Sequence, residues 1–205
     1  MTGWTEHRGL AAALDIANVD TDQLIPARFM STPRSGDYGQ FLLHDLRFDR
    51  NGDPRPDFPI NRHPEVNILI GRRNFGSGSS REAAVYALID FGIRAVIAPS
   101  FGDIFAANSI NNGLLPALMS ERKVTDIITW LDGDSAVFYL NIEKRKIMFD
   151  DQTISFTLSD ASAQKLINGW DDIDLTEHHR PAIMAYRAQR AKTQPWVFPA
   201  QETAG

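Results

Sequence analysis

The chain has 205 residues, 43% apolar and 23% charged, a composition that suits one compact domain with a continuous core and a short attachment. Its formal charge of −5, with Lys144-Arg145-Lys146 as the longest basic run, argues against a nucleic-acid footprint. The absence of cysteine excludes disulfides, thiol nucleophiles and an iron–sulfur cluster held by this chain's own thiolates.

From the N-terminus, Met1-Thr2-Gly3-Trp4-Thr5-Glu6-His7-Arg8 lacks the charged-then-apolar order of a signal peptide, so a cytoplasmic location is the default expectation. Asn18 to Asp22 has turn composition. Pro33 to Pro64 is rich in proline, glycine and charge around a short apolar stretch, Phe41-Leu42-Leu43, and is expected to be a long, mobile substrate loop. Val66 to Ile70 reads as a buried strand, Gly71 to Gly78 as a glycine-rich loop, and Arg81 to Phe91 as a helix closed by Gly92.

Ala95 to Ala98 is a second strand of the parallel type. A helix over Asp103 to Asn112 and a strand over Leu114 to Leu118 follow. Val137 to Phe149 and Thr153 to Leu158 alternate like an antiparallel hairpin, and helices are expected near Ser162 to Asn168 and Thr176 to Ala191. The fold class is therefore α/β: a single domain over 1–191 with a parallel core sheet, flanking helices and an antiparallel extension, then a tail over 192–205. No stretch supplies the ~20 uninterrupted apolar residues of a membrane helix. The best, Val85 to Phe101, is interrupted by Asp90 and Arg94.

The chemistry concentrates in Gly71-Arg72-Arg73-Asn74-Phe75-Gly76-Ser77-Gly78-Ser79-Ser80-Arg81-Glu82. It lies between a strand and a helix, where open α/β sheets bind ligands. It is neither a Walker A loop, which needs a lysine after the second glycine, nor a dinucleotide fingerprint, whose third glycine is replaced by Arg81. Ser79 and Glu82 have capping-box spacing, and the plain reading is that Ser79 only caps the helix. Against that, Gly76 and Gly78 allow close backbone approach to a ligand, the helix start favours an anion, and Arg81 offers a bidentate carboxylate clamp. A serine at such a positive site can serve as base or nucleophile, because its weakly acidic hydroxyl needs positive potential to lose a proton.

Other candidates are weaker. His178 and His179 are adjacent and point to different sides of a helix, so metal chelation by both is poor geometry, and Thr176 before them suits an N-cap. Asp20 and Asp22 form either a carboxylate pair or plain turn chemistry. Asn108, Asn111 and Asn112 suit a helix end, and Glu143 to Lys146 a solvated hairpin face. No metal ligands are assigned.

The string Asn74-Phe75-Gly76-x-Gly78-Ser79-Ser80-Arg81-Glu82 resembles the signature of the swivelling domain of the aconitase superfamily. Asn18-Val19-Asp20-Thr21-Asp22-Gln23-Leu24-Ile25-Pro26 is similar to that family's N-terminal motif, and Ser100-Phe101-Gly102-Asp103-Ile104-Phe105 with Asn108 and Asn111 to Pro116 to its second-strand and helix motif. The resemblance extends over about residues 5–190 and points to free-standing small subunits of the 3-isopropylmalate dehydratase type. It implies removal and re-addition of water on a small hydroxy diacid: 2-isopropylmalate to 3-isopropylmalate through isopropylmaleate, in leucine biosynthesis.

The resemblance also implies that a large partner subunit carries the 4Fe-4S cluster and that this chain is active only with it. Ser79 would abstract the carbon-bound proton, Arg81 would bind a carboxylate with help from Ser80 and Gly78, and Asp22 would orient the site. Arg34, or failing it Arg28, would hold the second carboxylate. Ala83 stands where the family commonly has histidine, and Phe29-Met30-Ser31-Thr32-Pro33 departs from the basic loop of leucine-pathway subunits. A citraconate/2-methylmalate or dimethylmaleate hydratase subunit is the alternative within the family. A non-catalytic dicarboxylate-binding module is the alternative outside it.

Overall fold

A computed structural model describes residues 2–34 and 38–198. The apolar runs read from the sequence lie at its centre. Strands β1 (Glu6–Leu14), β2 (Val66–Gly71), β3 (Ala95–Ala98) and β4 (Leu115–Leu118) pair in parallel, and β5 (Ser135–Asn141), β6 (Lys146–Phe149) and β7 (Gln152–Ser155) continue the same sheet antiparallel from β1. The order is β4-β3-β2-β1-β5-β6-β7.

Alternation explains why β2 and β3 read as unbroken apolar runs. Ile68 and Ile70, with Ala95 and Ile97, enter one apolar cluster, while Leu69 and Val96 enter the other. Both faces are covered, as parallel sheets require. The first cluster is closed by α6 (Glu121–Leu131), through Val124, Ile127, Ile128 and Leu131, and by α7 (Asp160–Asn168). The second is closed by α1 (Thr21–Leu24) and α4 (Glu82–Phe91), and by the segment that holds α2 (His44–Arg47) and α3 (Pro59–Arg62). Helix α5 (Asp103–Asn111) contributes to both, through Ile110 and Phe105.

The chain divides into two compact units, 1–170 and 171–205. The boundary set at 191 from the sequence falls inside a helix, and the compact unit ends at Trp170 instead. In the second unit α8 (Asp172–His178) begins at Asp171, whose side chain caps Ile173 and Asp174, and α9 (Arg180–Thr193) starts with a proline in its first turn. The single helix expected over Thr176 to Ala191 is thus two, with the break at His179. Thr176 is not a cap; its hydroxyl donates to the Asp172 carbonyl one turn back. No residue of either helix is buried. The distal part of the tail, 199–205, lies outside the described residues.

Two further readings change. The stretch Val137 to Phe149 is two strands, because Arg145 takes a left-handed conformation (φ 52°) at a turn that reverses the chain. Within the segment 33–64, Leu42, Leu43 and Ile60 are fully buried, so residues 38–62 pack on the sheet's second face as an arm with its own short helices. No helix among the described residues is long and apolar enough to cross a membrane.

Candidate active site

The four parallel strands end at one edge of the sheet, and the three motif stretches meet there. The glycine-rich loop is threaded between the loops that follow β1 and β3. Gly76 N–H donates to the Val19 carbonyl at 2.7 Å, and Thr21 N–H donates to the Ser77 carbonyl at 2.8 Å. On the other side, Phe75 N–H donates to the Ser100 carbonyl at 3.0 Å, and Gly102 N–H to the Phe75 carbonyl at 2.9 Å. These bonds make short parallel bridges, Asp20 with Ser77 and Phe75 with Phe101.

Only glycine fits at two of these points. A Cβ on Gly76, at φ 71°, would lie 2.2 Å from the Phe105 ring, and one on Gly102 would lie 2.5 Å from the Gly76 carbonyl oxygen. Gly78, at φ 101°, then turns the chain toward Ser79.

Ser79 is exposed, and its main chain is fixed. The Ser79 carbonyl accepts from Arg81 N–H at 2.7 Å and from the Thr21 hydroxyl at 3.1 Å. The capping role offered by the Ser-x-x-Glu spacing does not occur: α4 begins at Glu82, Arg81 occupies the N-cap position, and no side chain caps it. Ser79 is thereby left outside the helix, with its hydroxyl uncommitted to a cap. Ser80 is exposed beside it.

Arg81 forms an ion pair with Asp22; its side chain is only 20% exposed, against 57% for the aspartate. The pairing leaves the two acidic residues of the first loop with different tasks. Asp20 caps α1, accepting from Gln23 N–H at 2.7 Å while Gln23 returns a bond to the Asp20 N–H at 3.0 Å. Asp22, in the first turn of that helix, faces the guanidinium. The turn reading thus holds for Asp20, whereas Asp22 pairs with Arg81.

The other two arginines are engaged elsewhere in this state. Arg34 makes a bidentate pair with Asp90 of α4 at 2.8 and 2.9 Å, with its guanidinium 4.0 Å from the centre of the Tyr86 ring. The Asp90 bond raises the pKa of Arg34 above the usual guanidinium value. Arg28 pairs with Asp45 and lies over Phe29. Neither is brought to Ser79 here. Residues 35–37, which follow Arg34, lie outside the described residues.

Gly76, Gly78, Ser79, Gly102, Asp103, Ile104 and Phe105 line a cavity of about 220 Å³, enough for a small organic acid to begin to enter. Among the described residues no three His, Asp or Glu side chains gather as a metal group. With no cysteine in the chain and a cleft lined by glycines, one serine, one aspartate and two apolar side chains, the donor set does not fit an iron–sulfur cluster. His178 and His179 meet edge to face, 5.4 Å apart, at the junction of α8 and α9.

The sequence reading missed several supports. Arg72 pairs with Asp15 after β1 and donates to the Thr125 hydroxyl of α6 at 2.7 Å, anchoring the start of the glycine loop. Asn112 donates to Glu82 at 2.8 Å and to the Asn108 carbonyl at 2.9 Å, tying the end of α5 to the start of α4. Asn74 N–H is taken by the Ser100 hydroxyl at 2.8 Å. Apart from the one-turn Asn112–Asn108 bond, which suits the helix-end role read for these asparagines, each joins residues distant in sequence, so no spacing rule reveals it. The one local signal is Asn74 itself, a residue tolerant of the left-handed turn it makes at φ 63°.

Known proteins place this geometry in context. Residues 1–122 match the family described as the aconitase C-terminal domain. A 3-isopropylmalate dehydratase small subunit from Rhodospirillum centenum is 45% identical over 202 residues, 97% of this chain and 100% of that one. Another from Anoxybacillus flavithermus is 41% identical over 196 residues, 93% of this chain and 100% of that one. Among solved structures, the 3-isopropylmalate dehydratase (LeuD) of Methanocaldococcus jannaschii is 27% identical with a TM-score of 0.62, covering 89% of this chain and 99% of that one. The chain therefore belongs to the aconitase C-terminal domain family, alongside the 3-isopropylmalate dehydratase small subunits.

Proposed function

We propose that this chain is the small subunit of a heteromeric hydro-lyase that interconverts 2-isopropylmalate and 3-isopropylmalate through isopropylmaleate, in the cytoplasm, as a step of leucine biosynthesis. The observation that carries the reading is the exposed Ser79, held by its own main chain at the mouth of the glycine loop, next to an Arg81 oriented by Asp22. The relatives' names supply the substrate.

The chemistry assigned to these residues is a proton transfer. Ser79 accepts the hydrogen from the carbon next to a carboxylate. The electron pair of that C–H bond becomes the second bond of the alkene as hydroxide leaves the neighbouring carbon. Rehydration runs the steps backward with water added at the other carbon. The carbon acid is weak, and its anion spreads charge onto the carboxylate. A guanidinium aimed at that carboxylate stabilises the charge where it develops. Arg81 serves there, with the Ser80 hydroxyl and the Gly78 main chain beside it. Asp22 fixes the guanidinium plane, and the second carboxylate goes to Arg34, which exchanges Asp90 for substrate, or to Arg28. The arm over residues 38–62 reads the alkyl group.

The departure of hydroxide is left to the large subunit, since nothing in this chain suits a 4Fe-4S cluster. The isolated chain is therefore expected to be inactive. The test is to isolate the complex anaerobically and follow the ultraviolet absorbance of isopropylmaleate and, in parallel, methylmaleate. Ser79→Ala should lower the rate by about 10²–10⁴-fold, the worth of a positioned general base, with complex formation unchanged. A retained rate would remove Ser79 from the mechanism. Activity on methylmaleate alone would change the substrate and keep the chemistry. A chain that captures no large subunit and hydrates neither would be a binding module.

A further inference from the structure

A cavity of about 650 Å³ lies between the end of β1 and the arm, and it shares no lining residue with the Ser79 cleft. Its floor is apolar: Leu14 is buried, and Ile16, Leu46 and Phe58 are half-buried against the second apolar cluster. Its rim is charged and stiff. The strap Asp53-Pro54-Arg55-Pro56-Asp57 runs along it, with two prolines that fix φ. The main chain of the strap is tied at three points. Asp49 N–H donates to the Asp53 carbonyl at 2.9 Å, Arg55 N–H to the Arg47 carbonyl at 2.8 Å, and the Asn61 amide to the Arg55 carbonyl at 3.0 Å.

Opposite charges share this rim without pairing. Asp15 is taken by Arg72, and one oxygen of Asp49 accepts two N–H groups of its own turn. Asp53, Arg55 and Asp57 are exposed, and among the described residues none of the three side chains makes an ion pair or a hydrogen bond. Arg55 stands two residues from each aspartate and meets neither. It also lines a neighbouring cavity of about 520 Å³, where Arg50 is likewise exposed and unpaired. The rim thus offers uncommitted acid over the apolar floor and uncommitted base at its far side.

We propose that this cavity binds a free α-amino acid with a branched aliphatic or aromatic side chain. The side chain lies on Leu14, Ile16, Leu46 and Phe58, the ammonium faces Asp53 and Asp57, and the carboxylate takes Arg55. Burial on the apolar floor supplies the attraction, and a charge-assisted bond at each end of the zwitterion sets its orientation. A mostly apolar pocket with a few placed charged groups is the usual make-up of a small-molecule site. A diacid suits it poorly, since it would bring two carboxylates to a rim where acid outnumbers base.

Titration calorimetry tests the site on the full chain, alone and in the anaerobic complex with its large subunit. The probes are L-leucine, L-phenylalanine, 4-methylpentanoate (no ammonium), 3-methylbutylamine (no carboxylate) and 2-isopropylmalate. Leucine or phenylalanine should bind at least about tenfold more tightly than either single-charge probe, in chain and complex alike. Arg55→Met should erase the preference for leucine over 3-methylbutylamine. Asp53→Asn combined with Asp57→Asn should erase the preference for leucine over 4-methylpentanoate. These side chains are exposed and the strap is tied by its main chain, so circular dichroism and melting temperature should match wild type. No saturable binding of either amino acid at about 10 mM would overturn the proposal. Amino-acid binding unchanged in both variants would place the ligand elsewhere and overturn it too. Binding seen with the chain alone and lost in the complex would mean that the large subunit covers the cavity, and the site would fall. Tighter binding of 2-isopropylmalate than of either amino acid, lost in Arg55→Met, would give the cavity to the substrate instead.

Discussion

The glycine loop, residues 74–80, at the strand ends, and the arm, residues 38–62, on the sheet's second face, are built on contrasting principles. The loop is held by main chain against main chain: four backbone bonds tie Phe75, Gly76 and Ser77 to Val19, Thr21, Ser100 and Gly102. The arm has one main-chain tie to the body, Leu43 N–H to the Leu24 carbonyl at 3.0 Å, and is otherwise held mainly by side chains. Phe41 stacks on Phe29 at 4.3 Å, Leu42, Leu43 and Ile60 are buried, and Arg47 donates to Asn61 at 2.9 Å and to the Leu42 carbonyl at 3.2 Å. Backbone anchoring fixes a reactive residue without demanding particular neighbours, apart from glycines where two chains touch. Side-chain anchoring lets a segment change its lining while keeping its place. Reaction chemistry belongs on the first kind of structure and discrimination among alkyl groups on the second.

The largest effect should come from crowding the loop. Gly76→Ala sets a Cβ against the Phe105 ring and forces a left-handed conformation on an L-residue. Strain and overpacking together should cost about 2–5 kcal/mol in urea unfolding. The reconstituted complex should lose most of its hydratase rate, because Ser79 is carried by the displaced strand. Gly52→Ala in the arm is the matched control: φ is 86°, yet nothing lies within 4 Å of the new Cβ. It should show only the conformational cost, about 1 kcal/mol, and normal activity. Equal costs at the two glycines would mean that the loop yields as easily as a surface turn.

A middle-sized effect should come from unpinning the arm. Arg47→Met keeps the aliphatic length but removes the bonds to Asn61 and Leu42 and the guanidinium 5.0 Å from the centre of the Phe91 ring. A loss of about 1–3 kcal/mol is expected. If the two regions are as separate as their construction suggests, kcat at saturating substrate should stay within about twofold, while KM for isopropylmaleate rises. A collapse of kcat would show that the arm also holds Ser79 in place.

What was legible in the sequence follows the same division. Strands β2 and β3 announced themselves because burial on both faces makes a continuous apolar run, and Gly92 marked the end of α4, where it sits at φ 108°. The glycine loop was legible because close approach admits only one residue type. Strand β1 was not, since its Gly9-Leu10-Ala11-Ala12-Ala13 core is poor in β-formers and is a strand only because β2 and β5 flank it. Helix α6 went unread although its apolar positions 124, 127, 128 and 131 have helical spacing. The arm's burial was hidden for a different reason. Prolines and charges dominate its composition, and the few residues that dock it, Leu42, Leu43 and Ile60, are too scattered for any period. The partners of Arg28 and Arg34 were beyond reach of sequence, because Asp45 and Asp90 lie 17 and 56 residues away.

The smallest effect separates the two regions by pH. The hydrogen bond from Arg28, more than the nearby His44, holds the Asp45 carboxyl down to about 2 from its usual 3.8. A carboxyl whose folded value is depressed contributes stability above its unfolded value and loses it as pH falls through the folded one. The pair should therefore stabilise the arm fully above about pH 4 and not at all below about pH 2. Its side chains are 53% and 55% exposed, so solvent and salt weaken the contribution, and it should shrink further in high salt. Asp45→Asn should melt slightly below wild type at pH 5, and the difference between the two melting curves should close as pH falls from 4 toward 2. The site pair, Arg81 with Asp22, lies outside the arm, so the Ser79-dependent rate of Asp45→Asn at neutral pH should match wild type. A gap in melting temperature that stays constant from pH 5 to pH 2 would show that Asp45 supports the arm through shape and not charge. A drop in the neutral-pH rate would couple the arm's ion pair to the loop and undo the separation on which the comparison rests.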